Sequence, residues 1–140
     1  MRRRIVGHGS RNGAAALEFA LILPILLVLI SAIADYGWYL TQQTQVLQAV
    51  GDGARMGITV SPAASPGPED IALEHTQNVL SGLGIPCNDD DDCEFETSIN
   101  SAGTLDVLTV KVTLNYQPIA GLVPYPEKIK AETSMAIEDQ

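Results

Sequence analysis

Residues 14–34 read AAALEFALILPILLVLISAIA, 21 positions that are apolar except for Glu18, Pro24 and Ser31. As a helix rising about 1.5 Å per residue, the run reaches roughly 31 Å, the depth of a bilayer's hydrocarbon core. Its flanks differ in charge. Arg2, Arg3, Arg4 and Arg11 precede it with no acid among them, whereas Asp35 follows at once and the next basic residue is Arg55. The positive-inside rule places the N-terminus in the cytoplasm and residues 35–140 across the membrane. Tyr36, Trp38 and Tyr39 stand just past the run, where aromatic side chains meet the far headgroups.

Beyond the run the chain is acidic. Residues 14–140 carry four basic side chains against all 17 acids, which argues against a nucleic-acid partner for the exported part. Cys87 and Cys93 are the two cysteines of the chain, and both lie in that exported part. In an oxidising compartment such a pair reads as a disulfide rather than a metal or redox site.

Residues 1–13 form a short basic leader with little to pack. Residues 14–34 are expected to span the membrane, and 35–57 to continue the same helix outward. In this continuation Tyr36, Leu40, Leu47, Val50 and Ala54 are expected to form one apolar face, opposite Thr41, Gln42, Gln45 and Gln48. Gly51, Gly53 and Gly57 weaken the end of that pattern. Residues 58–68, which include the breaker SPAASPGP, read as a linker. Residues 69–140 read as an exported α+β domain. It opens with a second helix over 69–83, whose expected buried stripe is Ala72, Thr76, Val79, Leu80 and Leu83, with Glu69 and Asp70 suited to its first turn. A cysteine loop follows over 87–93. Three alternating segments then read as strands: one around Phe95, Thr97 and Ile99, one from Leu108 to Tyr116, and one from Ile129 to Ile137. Residues 100–104 read as the turn between the first two, and the proline-rich stretch 118–126 as the connection to the third. The expected fold is a long N-terminal helix, one shorter helix and a three-stranded, half-buried antiparallel sheet.

Glu18 is an ionisable residue five positions into the apolar run. A charge at the bilayer centre costs on the order of 2.5–3.5 kcal/mol. Near the edge the cost is smaller, and the side chain either snorkels to the cytoplasmic headgroups or serves a function. The residues before it favour the second reading. Arg11-Asn12-Gly13-Ala14-Ala15-Ala16-Leu17-Glu18-Phe19-Ala20 resembles the processing site of type IV-like pilins. In that family a membrane-embedded prepilin peptidase cuts after the glycine, on the cytoplasmic side. The resemblance implies a cut after Gly13, with Ala14 as the new first residue, Glu18 as the fifth and Phe19 as the sixth. Alanine after the cut points to the tight-adherence branch. Gly53-Ala54-Arg55 is similar to a segment of TadE-like proteins, minor pilins or pseudopilins of that pilus system, and the strand, proline-rich loop and strand over 108–137 resemble theirs loosely.

The resemblance implies a pilin-like fold and a role in assembling a pilus for surface attachment. It implies as partners the prepilin peptidase, other pilins and minor pilins, the inner-membrane assembly platform and membrane lipid. It places the chain in a bacterial inner membrane with a periplasmic C-terminal domain. Cleavage after Gly13 frees an amine on Ala14, which shares a helix face with Glu18 at i, i+4. The amine can pair with Glu18 of the same chain or of a neighbour, which makes a buried acid tolerable.

Asp89, Asp90, Asp91 and Asp92 lie between the cysteines and raise the question of calcium. They lack the alternating ligand spacing and turning glycine of a calcium loop, so a solvated, self-repelling loop is the plainer reading. His75 is a lone helix histidine, and no nucleophile–base–acid set, phosphate loop or metal-ligand spacing occurs. The chain reads as a non-enzyme without cofactor or metal. Two rival maturations stay open. Ala32-Ile33-Ala34 before Asp35 is an A-x-A pattern that signal peptidase could cut, releasing a secreted domain. Alternatively, the chain stays uncut as an anchor that displays a binding domain.

Overall fold

Helix α1 (Ser10–Gly57) runs 48 residues without a break in the computed structural model of the chain, which describes residues 10–85, 87, 92–102 and 105–137. At about 1.5 Å per residue it is roughly 72 Å long. Pro24 lies inside it. From Leu17 to Ile33 its large apolar side chains are exposed, Leu23 alone being half-buried, as they must be if no other part of the chain covers them. The second half carries the remaining elements: α2 (Pro68–Gly82), β1 (Cys93–Ala102), β2 (Leu105–Asn115) and β3 (Lys128–Ile137). The architecture is α+β, with the two helices against one face of an antiparallel sheet ordered β1-β2-β3.

The face that α1 turns inward differs from the apolar face expected from its sequence. Val50 and Ala54 are buried, but Tyr36, Leu40 and Leu47 are exposed. The inner stripe consists of Asp35, Tyr39, Val46, Ala49, Val50, Gly53, Ala54 and Gly57. These positions recur at helical spacing, but several are small or polar, so a search for large apolar residues passes over them. The glycines are contact positions. A Cβ on Gly53 would sit 2.7 Å from the Ala72 carbonyl oxygen, and one on Gly57 would sit 2.8 Å from that of Pro68. Their bare backbones let α2 run back along α1 at close range, with Ala72 and Thr76 filling the seam. The buried Thr76 hydroxyl donates to the Ala72 carbonyl at 2.7 Å, so no polar atom is stranded there.

Both ends of α2 follow from local chemistry. Pro68 takes the first helical turn, where its missing N–H costs nothing. The Asp70 carboxylate accepts from the Gly67 N–H at 3.2 Å. At the other end Gly84 adopts φ +73°, the Ile85 N–H donates to Leu80 at 3.0 Å and the Gly84 N–H to Ser81 at 3.0 Å. This is a Schellman ending, with Ile85 and Leu80 buried as its hydrophobic pair. Leu83, expected in the buried stripe, occupies the cap instead and is exposed, because the chain leaves helical geometry there.

The sheet keeps the expected alternation. Its inner face stacks cross-strand rows: Phe95, Val112 and Ala131; Ile99, Leu108 and Met135; Cys93, Leu114 and Ile129. Its outer face pairs Glu96, Lys111 and Glu132 across the three strands, with Lys111 Nζ 2.6 Å from the Glu96 carboxylate. This partner holds the Lys111 ammonium above its ordinary pKa. Asn100 and Ser101, expected in a turn, are paired in β1 with Val107 and Asp106. A two-residue link between strands that pair to their ends leaves no room for a five-residue turn.

Candidate functional site

Gly13, Ala14, Glu18 and Phe19 all lie on the apolar half of α1, and their side chains, where they have one, are exposed. Ala14 and Glu18 are one turn apart on the same face. A Cβ added at Gly13 would meet nothing within 4 Å. Residues 1–9 of the basic leader lie outside the described residues, as do 88–91 of the acidic loop. Cys87 and Cys93 are joined as a disulfide with Cα atoms 5.3 Å apart. The bond ties the end of α2 to the start of β1. Closing a ring of about seven residues stabilises the fold by roughly 2.4 kcal/mol on the chain-entropy argument.

A second constellation lies at the end of the apolar run. α1 carries Asp35 directly past Ala34 with no break in the helix, and Asp35 is only 1% exposed. The cover is the connection between β2 and β3. Its base is closed by the Tyr116 N–H donating to the Glu127 carbonyl at 2.8 Å. The loop then folds onto α1. The N–H groups of Ile119 and Ala120 donate to one Asp35 carboxylate oxygen at 2.9 and 2.8 Å, and that of Gly121 donates to the other at 2.9 Å. Three successive donors converge because Gly121 adopts φ +63°, a conformation that glycine enters without strain. The Tyr116 hydroxyl donates to the Asp35 backbone carbonyl at 2.7 Å, and the Tyr36 hydroxyl to the Pro124 carbonyl at 3.0 Å. The Tyr116 ring meets Tyr39 and Tyr125 edge-on, with centroids 5.2 and 6.0 Å away.

The electrostatics fit this geometry. The Ala120 N–H above all, with those of Gly121 and Ile119, holds the Asp35 carboxyl below its ordinary pKa, although burial acts in the opposite direction. Burial foremost, with the neighbouring Asp35 charge, pushes the Tyr116 hydroxyl up, so it stays a donor at neutral pH. A lowered folded-state pKa stabilises the fold above the unfolded carboxylate value of about 3.9, and this contribution disappears as pH falls through the folded value. Asp35→Asn, which turns one acceptor into a donor facing N–H groups, is therefore expected to lower the melting temperature at pH 7. The gap to the wild-type chain should close toward pH 2. Melting curves of the full chain in detergent across that range check this, and a gap independent of pH would contradict it.

The junction has no catalytic geometry. It fixes where the α+β domain sits on the helix, at the level where the apolar run ends. Sequence reading notices Asp35 only as the first charge after the run. The available signal is an acid at a helix position that should be solvated, together with an uncharged, glycine-containing loop that has donors to spare. Among the described residues, no group of three or more His, Cys, Asp or Glu side chains is placed to hold a metal ion.

Residues 13–55 match the model of the family described as TadE-like protein. The matched span runs from Gly13 through the apolar half of α1 and the Asp35 junction to Arg55, beside the glycine seam with α2. No curated protein and no solved structure matches the chain.

Proposed function

From a chain that is TadE-like over residues 13–55, a family associated with assembly of the tight-adherence pilus and generally non-enzymatic, we propose a prepilin-like subunit of that machinery. In this reading the prepilin peptidase cuts after Gly13, and residues 14–34 hold the mature chain in the inner membrane with the N-terminus cytoplasmic. The domain beyond Asp35 lies in the periplasm and meets other pilins, minor pilins and the assembly platform. The observation that carries the reading is that the family match opens at Gly13 and continues along a single unbroken helix. That helix is long and apolar enough to cross a membrane. The Ala14 amine and Glu18 are the charge pair that makes such a helix dockable among its neighbours.

The enclosed junction bears on the rival cut before Asp35. The Ala34–Asp35 bond lies inside a continuous helix, and the loop and Tyr116 hold Asp35 on its carboxylate and its carbonyl. This favours retention of the apolar segment over release of a secreted domain.

Gly13→Val tests the processing step. A Cβ at this position meets open space, so the exchange is expected to leave the fold intact. The peptidase needs close approach to the backbone, which glycine permits. The variant is expected to accumulate in the membrane at its full length. Trimming at the wild-type rate would count against the pilin reading.

A further inference from the structure

The loop that clamps Asp35 has a second face. Residues 117–126, QPIAGLVPYP, contain no charged side chain. Its backbone donors are turned inward onto Asp35, while Ile119 is 67% exposed, Leu122 63% and Tyr125 40%. Outside α1, the other large apolar side chains exposed to this degree among the described residues are Leu83, in the cap of α2, and Leu105, at the start of β2. A polar loop is the usual way to connect two strands in water, so this concentration of apolar surface needs a cover. Its position says which cover. Through Asp35 the loop is bonded to the first residue after the 21-residue apolar run, and through Tyr36 to the second. Tyr36 and Trp38, both exposed, belong to the same level. Any bilayer that receives residues 14–34 therefore places its outer headgroup layer against this loop.

We propose that the 117–126 loop is a second membrane contact, with Ile119 and Leu122 entering the interfacial layer of the leaflet through which α1 leaves. Tyr125, Tyr36 and Trp38 form the aromatic girdle around that entry, at the depth amphipathic rings prefer. The loop carries no cation and the domain is acidic, so the surface it takes is a zwitterionic phospholipid one, held by apolar burial and not by charge. The clamp on Asp35 then sets the domain's height and tilt on the membrane before assembly. This inference rests on α1 being a membrane span.

The test is tryptophan quenching in vesicles of phosphatidylcholine brominated either near the headgroups or deep in the acyl chains. The full chain is used in a Trp38→Phe background that leaves no other tryptophan. Single reporters are Leu122→Trp at the loop, Ile25→Trp in the middle of the apolar run, and Asn100→Trp at the far end of the sheet. From Tyr116 to Val107, the partner of Asn100, is about 30 Å of extended strand. The expected result is loss of emission at position 122 with shallow bromine, loss at 25 with deep bromine, and none at 100. Quenching at 25 without quenching at 122 would overturn the loop contact and leave the span intact. Absence of quenching at 25 would remove the span and the inference with it. Equal quenching at 100 and 122 would mean the domain lies flat on lipid, and would overturn the assignment to this loop.

Discussion

Gly53→Val is expected to destabilise the α+β domain by about 3 kcal/mol, the upper end of what overpacking usually costs. The cause is geometric. A side chain at position 53 points into the seam with α2, where the Thr76 side chain and the Ala72 carbonyl already stand. Thr76 is itself buried and bonded to Ala72, so it has no free rotamer to retreat into. A helix carbonyl cannot swing aside without losing its place in the ladder. Relief requires the two helices to part, which opens the core formed by Val46, Val50, Leu80 and Leu108. Gly51, two residues away on the same helix, is the control, because a Cβ there meets nothing within 4 Å. Gly51→Val is expected to stay within about 0.5 kcal/mol, as substitutions away from tight contacts generally do. Urea unfolding of the detergent-held chain, followed by Trp38 fluorescence, compares the two. Equal losses would show that the cost does not arise at the seam, because valine is the better helix former at both positions, and the seam would then not be a tight contact.

Glu18→Ala is expected to abolish incorporation into the pilus while leaving the folded domain alone. Glu18 lies in the exposed apolar half of α1, remote in sequence from every element of the sheet, so the buried core does not depend on it. Removing the charge also lowers the cost of holding this helix in lipid. The loss falls on assembly. If the Ala14 amine of one subunit pairs with Glu18 of the next, the variant leaves that amine unpaired in an apolar bundle. Breaking a buried pair in this way costs roughly 3–5 kcal/mol, enough to empty a packed array at cellular concentrations. Co-purification of the mature variant with pilus subunits and the assembly platform, together with surface piliation, reads the effect. A variant that is cut, stable and fully incorporated would reduce Glu18 to a snorkelling acid.

The strands are legible in the sequence because their signal is local. Leu108, Val110, Val112, Leu114 and Tyr116 alternate with polar residues, and one face of an antiparallel sheet needs little more than that. The second helix is legible for the same reason up to its cap, where Gly84 ends the helix and Ile85 takes the buried place expected of Leu83. The inner face of α1 is not legible from hydrophobicity. Tyr36, Leu40 and Leu47 are the larger side chains but face outward, while Asp35, Gly53 and Gly57 face inward. Two glycines that weaken a helix by propensity become useful where a second helix needs its backbone near, and only the tertiary contact reveals that. The Asp35 clamp is hidden for a related reason. Its donors lie 84 to 86 residues further along the chain, in a loop whose composition says only that it turns. The disulfide is readable from cysteine count and from the oxidising compartment that the flanking charges lead one to expect, and Cys87 and Cys93 are indeed joined. The processing segment is a different kind of signal. Gly13, Ala14, Glu18 and Phe19 make no fold contact that would betray them, so their meaning comes from the motif and from the oddity of one acid in an apolar helix.

On the proposed function, this chain matures by a cut after Gly13 and keeps its apolar helix. The most direct test is the intact mass, with N-terminal sequencing, of the mature chain extracted from membranes of cells that make the whole pilus system. The expected product begins at Ala14 and retains residues 14–34. A chain that begins at Asp35, or one still carrying Met1 and the basic leader, would contradict it.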